Sequence, residues 1–548
     1  MPRHRERFAR CHTAVAVACA VVLCTAAARA QVQHDHGAPA GRIGAVHFDT
    51  SCAAAVQQEF DRGVALLHSF WFSAAIESFN AVLQADPRCV MAHWGIAMSW
   101  WSNPFTSFRS PQALAAGLAA VDAAKASGAG TDREKAYVAA VELLFRDASP
   151  GNQRARTVAY ERAMEVIATK YPNDIEARIF YALALDQTAL PTDKTYTNQL
   201  KAAEILQREF RRQPEHPGLA HYIIHSFDVA ALAPRGLDAA RRYAKIAPDA
   251  AHALHMPSHT FTRVGSWQES IDTNLASAAA ARTSNSTPEE LHALDYQAYA
   301  YLQIAQDSSA KRTLDAIPAL LAKIDTPGAG NAAPPSAGYY ALAAIPARYA
   351  LERDAWAEAA TLTPHPSSFA WADAVTYYAR ALGAARTGNA AAARRDLDRL
   401  ATLRDVLEKE NDAYWTEQVD IQRRAALAWV RLAEGEASEA LTLMREAADR
   451  EDATDKSAVT PGPIKPAREL LGEMLLQLNR PAEALAAFEA TLQREPNRFR
   501  ATYGAARAAE AAGNRQKARA SYAKLLQIAK AADQPGRPEL ADARKSAG

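Results

Sequence analysis

The chain has 548 residues, 49% of them hydrophobic and 22% charged, the composition of a folded protein too long for one ordinary core. Its 62 basic and 61 acidic residues nearly cancel, for a net charge of +1. That balance argues against nucleic acid as a partner, because binding it needs a strongly basic face.

Arg3, Arg5, Arg7 and Arg10 precede the apolar run TAVAVACAVVLCTAAA, which ends in ARAQ. A charged segment, an apolar segment and a small-x-small site make an export signal. Residues 1–30 are read as that signal peptide, cut after Ala30, giving a periplasmic or secreted mature chain. Losing five arginines and one glutamate leaves the mature chain at a net charge of −3. The apolar run is short for a bilayer span, and no later stretch is long and apolar enough, so no membrane span is expected in the mature chain. Cys11, Cys19 and Cys24 leave with the signal. Cys52 and Cys89 remain, an even pair in an oxidising compartment.

Residues 31–50 read as a flexible leader. An N-terminal helical array is expected over 51–325, a linker over 326–338, irregular helical hairpins over 339–455 and a loop over 456–466. Regular repeats follow over 467–530, and then a disordered tail over 531–548. The array rests on an internal repeat. Gly63, Ala75, Phe79 and Pro87 near the start have the same offsets as Gly472, Ala484, Phe488 and Pro496 near the end, and Ala518 and Tyr522 follow 34 residues after Ala484 and Phe488. The composition is alanine-rich and poor in β-branched runs, which favours helix.

This pattern resembles the tetratricopeptide repeat, a helix–turn–helix unit of 34 residues. The resemblance implies an all-α fold, a tetratricopeptide-type helical-hairpin solenoid or superhelix, stabilised by stacking of hairpins that cannot bury their faces alone. In such a hairpin the two helices run antiparallel. Cys52, before the first helix, and Cys89, after the second, then lie close together, and a Cys52–Cys89 disulfide is expected.

The stretch HALHMPSHTF brings His252, His255 and His259 to spacings of three and four, which share one helix face. Pro257 interrupts it, either as a kink in one helix or as the start of a second. With Gly265 as the turn of its repeat, His255 and His259 align with His221 and His225 in the preceding repeat. His292 and Asp295 follow in the next. The repeat resemblance implies that these positions line the concave groove, so His221, His225, His252, His255, His259, His292 and Asp295 are the candidate ligand-binding residues. One reading is a groove for a peptide or protein partner. The other is metal, zinc or copper, held by the double pair His221, His225, His255 and His259, since imidazoles one turn apart chelate such ions. Asp295 is then a ligand or a partner to one, and Asp228, three residues after His225, is placed to cap a helix or to orient that imidazole. HYIIH lacks the glutamate of the HExxH motif, so protease chemistry is not indicated. His68 and His93 lie in aromatic, apolar surroundings and read as packing residues. No serine–histidine motif, phosphate loop or catalytic cysteine stands out, and no catalytic residue is assigned.

The stretches HYIIHSFD, HALHMPSHTFTRVGSW and LHALDYQAYAYLQ, with LLHSFW and MAHWGIAMSWW upstream, are similar to a family of exported bacterial tetratricopeptide-repeat proteins without an established reaction. The resemblance covers most of residues 50–480. It implies fold and location, with partner binding as a fold-level analogy.

Overall fold

The computed structural model describes residues 41–106, 109–324 and 332–547. The expected signal peptide and the first half of the leader lie outside the described residues. Among the described residues the regular structure is helical, with no strand.

The repeat offsets correspond to one packing device used at both ends of the chain. Phe79, on helix Phe72–Ala85, sits between glycines of two flanking helices, Gly63 on Gln57–His68 and Gly95 on Val90–Trp101. A Cβ at Gly63 would meet the Phe79 ring at 2.7 Å and one at Gly95 would meet it at 2.4 Å. Phe488 stands in the same relation to Gly472 and Gly504, at 2.8 and 2.4 Å. The aromatic wedge therefore fills space that only a side chain of hydrogen leaves open, and each repeat is keyed to the next. The chain is an all-α array of such hairpins. Cys52 and Cys89 are bonded, with Cα atoms 4.8 Å apart and a sequence separation of 37. Closing a loop of that length stabilises the N-terminal cap by roughly 3–4 kcal/mol.

Three expectations are corrected. The end of the leader is packed: Phe48 is buried, with its ring 5.7 Å from Trp94 and 5.4 Å from Tyr137. The linker expected over 326–338 is cut short by helix Pro335–Leu351, whose first residues lie inside it, and Ala332 and Ala333 before it are buried. The tail holds helix Pro538–Ala547, with Leu540 and Ala543 buried and Arg537 paired to Asp307. Each of these segments is short in large apolar residues, so composition made it look loose, but a few contacts hold it: Phe48 for the leader, the Ala332 backbone bonded to Asn103 and Glu289 for the linker, and Leu540 and Arg537 for the tail.

Residues 42–548 form one compact unit because the superhelix returns on itself. Gly265, with φ +70° at a turn, packs against Pro496, and Trp267 Nε1 donates to Asn497 O at 2.9 Å. Tyr299 Oη lies 3.1 Å from Glu495 Oε2. Arg498, fully buried, donates to Glu352 and Glu469 and to Tyr299, so its charge is matched at every face. The loop 456–466 is non-helical as expected, but it lies inside this closure. Thr460, Ile464 and Lys465 are buried, and Arg348 donates to Thr460, Gly462 and Pro463.

Candidate metal centre

Three helical stretches deliver the histidines. Pro217 opens helix Pro217–Ser226 at its first turn, where a missing N–H costs nothing, and His221 and His225 follow one turn apart. Helix Ala251–His255 is followed, after Met256, by helix Pro257–Arg263. Met256 keeps helical dihedrals and its N–H still bonds to His252 O at 2.9 Å, so one helical path continues through the break. Pro257 has no N–H to give to the turn before it, which interrupts the helical hydrogen bonding there. The stripe divides: His252 meets His221, and His255 and His259 lie by His292 on helix Thr287–Gln303.

Two triads result. His221 Nε2 lies 3.1 Å from His225 Nε2 and 3.1 Å from His252 Nε2. His255 Nε2 lies 3.1 Å from His259 Nε2, and the His292 ring centroid is 4.4 Å from that of His255. Within each triad the three candidate ligand nitrogens lie within 4.8 Å of one another. The four-residue set His221, His225, His255 and His259 is therefore not the unit the fold assembles. Each pair one turn apart takes its third member from a neighbouring helical path. Asp295 joins neither triad: it is fully buried and accepts from Arg348 Nε at 2.8 Å.

Hydrogen bonding fixes where the protons are. Asn274 Nδ2 donates to Ser270 O, which leaves Asn274 Oδ1 as an acceptor, and His255 Nδ1 lies 2.7 Å from it. His255 Nδ1 therefore carries hydrogen. His259 Nδ1 lies 2.9 Å from the Asp228 carboxylate and carries hydrogen too. His221 Nδ1 donates to the His68 carbonyl at 2.7 Å. In a neutral imidazole the other nitrogen is then a bare acceptor. Burial, which disfavours the charged form, lowers the pKa of all six rings, to about 3 for His221 and His292. His255 Nε2 and His259 Nε2 thus face each other with lone pairs and no hydrogen between them. His292 Nδ1 is buried without a hydrogen-bond partner among the described residues.

A third cluster has the opposite character. His68 Nε2 and His216 Nε2 each lie 2.9 Å from one oxygen of Glu176, and His68 Nδ1 lies 2.9 Å from Tyr222 Oη. Burial works against ionising Glu176, but His68 and His216 hold its pKa down to about 2. A proton fits between each of these pairs, although His216 Nδ1 is buried without a hydrogen-bond partner among the described residues. The cluster serves the first triad, because the His68 carbonyl holds His221. Gly218 leaves room for it: a Cβ there would meet His68 Nδ1 at 2.5 Å. His68 is a buried core residue, as its neighbours suggested, but it is also a polar hub. His93 is half-buried.

Asp228, expected beside His225, instead orients His259, and it also accepts from Arg263 Nε at 2.9 Å and Lys456 Nζ at 3.3 Å. Burial opposes its charge, but Lys456, Arg263 and His259 hold its carboxyl well below the usual range. Tyr296 Oη lies 3.3 Å from His259 Nε2 and 3.2 Å from the carbonyls of Ala458 and Thr460. The 456–466 loop therefore lies over His259, and five of the six histidines are buried where an open groove was expected. A cavity of about 430 Å³ reaches His252 from the other side, past Phe70, Trp71 and Glu289. Glu176, His216, Asn274, Tyr296 and Lys456 were not among the sequence candidates. They lie far from the histidines in sequence or off the repeat's inner positions.

No family model and no curated protein matches the chain. Solved structures do. Human IFIT1, as a dimer with m7Gppp-AAAA, is similar at 13% identity and a TM-score of 0.39 over 80% of this chain and 90% of that one. A tetratricopeptide repeat protein from Parabacteroides merdae is similar at 13% identity and 0.27, over 51% and 93%. The Cut9–Hcn1 hetero-tetramer of the APC/C is similar at 11% identity and 0.37, over 90% and 75%. At such identities the likeness extends to the helical fold alone.

Proposed function

We propose that the protein binds transition-metal ions, zinc or copper, in the two histidine triads. One observation carries this reading: His255 Nε2 and His259 Nε2 face each other at 3.1 Å with both ring protons committed elsewhere. Two lone pairs at that distance repel unless a cation lies between them. A metal bonded at 2.0–2.1 Å to nitrogens 3.1 Å apart subtends about 98°, which suits a three- or four-coordinate ion. Nitrogen donors without carboxylate or carbonyl oxygen disfavour magnesium and calcium, and the lack of thiolate removes the softest sites.

Export belongs to the same proposal. The Cys52–Cys89 bond supports an oxidising compartment, in line with the signal read in residues 1–30. The helical-hairpin array is a scaffold of the kind that holds partners. A peptide, however, meets five of the six imidazoles buried, with only His252 at the edge of the cavity, so the metal reading is preferred for this site.

Equilibrium dialysis with zinc and with copper, followed by elemental analysis, tests it. The wild type should retain two ions per chain. His221→Ala/His225→Ala and His255→Ala/His259→Ala should each retain one. A wild type holding no more metal than a variant lacking all four residues overturns the proposal.

A further inference from the structure

The two triads border one another. His225 of the first and His259 of the second have ring centroids 6.2 Å apart, and His252 and His255 are separated by the same distance. One edge of the first triad, His225 and His252, therefore faces one edge of the second, His259 and His255, and ions held by them are neighbours.

Charge decides which pair of ions such neighbouring triads accept. All six donors are imidazoles, and no carboxylate belongs to either triad. The acids nearby are committed. Asp228 is held by Arg263 and Lys456 as well as His259, and Asp295 is held by Arg348. Glu289, behind the cavity, accepts from the Ala332 N–H. Two dications side by side repel roughly four times as strongly as two monocations. Dinuclear sites for divalent ions meet this with carboxylates, as the glutamate-rich di-iron and di-manganese bundles do. Here nothing plays that role. A pair of monovalent copper ions suits neutral imidazoles, and charge gained on oxidation is offset when reduced oxygen lies between the two ions.

We propose that the paired triads form one coupled dicopper centre that takes up dioxygen and oxidises a small o-diphenol. This rests on the metal-binding reading above. The substrate path is the cavity of about 430 Å³ at His252. Phe70 forms its inner wall, lying nearly parallel to the His252 ring at 5.4 Å and edge-on to His221 at 4.4 Å. Trp71 and Ala280 extend the apolar lining, and Thr283 and Ser284 add polar groups for hydroxyls. A planar ring bearing two hydroxyls matches this wall. Each diphenol gives two electrons and two protons and leaves as the quinone. Dioxygen accepts four of each and leaves as two waters, so two diphenols are consumed per dioxygen, and the coppers cycle between the monovalent and divalent states.

The full chain, loaded with copper(I) without oxygen, desalted and then opened to air, provides the test. Elemental analysis should find two coppers per chain. Electron paramagnetic resonance should account for only a minor part of them, because two coupled copper(II) ions silence one another. Catechol and dioxygen should then disappear in a two-to-one ratio. Ala280→Trp fills the cavity away from the triads. It should keep the copper content and the silent spectrum while slowing catechol oxidation by about a hundredfold. Failure to hold two coppers overturns the metal-binding reading itself. Two coppers with a full-intensity spectrum overturn only the coupled centre. A silent pair that leaves catechol untouched, or an Ala280→Trp chain as fast as wild type, overturns the substrate and its path.

Discussion

His255 and Asn274 meet at 2.7 Å, Nδ1 to Oδ1, and this contact leaves the other nitrogen of His255 free to face His259. Asn274 is fully buried and fixed in turn by its own donation to Ser270 O. Removing it leaves the imidazole free to choose the other tautomer. Partners of this kind typically change metal affinity by about 10–100-fold. Asn274→Leu should therefore weaken one of the two bound ions by that factor and leave the other unchanged. Competition against a chelator of known affinity, followed ion by ion, measures it. Equal weakening of both ions would show that Asn274 acts on the fold and not on His255.

Asp228 binds His259 and Arg263, from one helix, together with Lys456 from a distant loop. All four side chains are largely buried. Removing one member of a buried ion set leaves the others uncompensated and costs on the order of 3–5 kcal/mol. Asp228→Asn should lower the urea midpoint accordingly. Adding Lys456→Met should recover part of the loss, since it withdraws one of the stranded charges. A double variant less stable than the single one would show that Lys456 contributes more by packing than by charge.

The Phe79 wedge makes a sharper claim about the repeat. Gly95→Ala places a methyl group 2.4 Å from the Phe79 ring, inside any real contact, and overpacking of this kind typically costs about 1–3 kcal/mol. Phe79→Leu gives the methyl group room but loses ring packing. The two substitutions should therefore be less than additive when combined, and chemical denaturation of the four chains measures the coupling. Strict additivity would mean that the ring and the glycine do not meet in solution.

The wedge was legible in the sequence because glycine, alanine and aromatic recur at fixed offsets, and helical hairpins repeat their packing with them. The shared face of His221, His225, His252, His255, His259 and His292 was legible for the same reason. The division of that face into two triads was not. It depends on how the neighbouring helices pack, and nothing in spacing says which neighbour each ring meets. The covering loop was also out of reach. Lys456 and Thr460 meet Asp228 and Tyr296 across more than 160 residues, through a segment whose prolines and glycines read as a plain loop. Phe48 with Ile43, and Leu540 with Arg537, likewise tie down the first and last described segments from polar or small-residue surroundings.

Glu451 gives the fold a pH dependence of definite sign. Burial, with Asp452 and Glu495 nearby, raises its carboxyl to about 8, although it accepts from the Ala467 N–H at 2.8 Å. In the unfolded chain the same group ionises near its ordinary value of 4.5. The folded chain therefore binds more protons than the unfolded one between those two values. By linkage, stability from this group is fully present below the lower value and is lost as the pH rises through the higher one. Glu451→Gln keeps an acceptor for Ala467 and removes the ionisation. Its thermal midpoint should fall less steeply than that of wild type between pH 5 and pH 8, and the gap in its favour should be largest at the alkaline end. Melting curves at matched ionic strength across that range decide it. Parallel profiles would mean that Glu451 is ionised in the folded chain and reaches water.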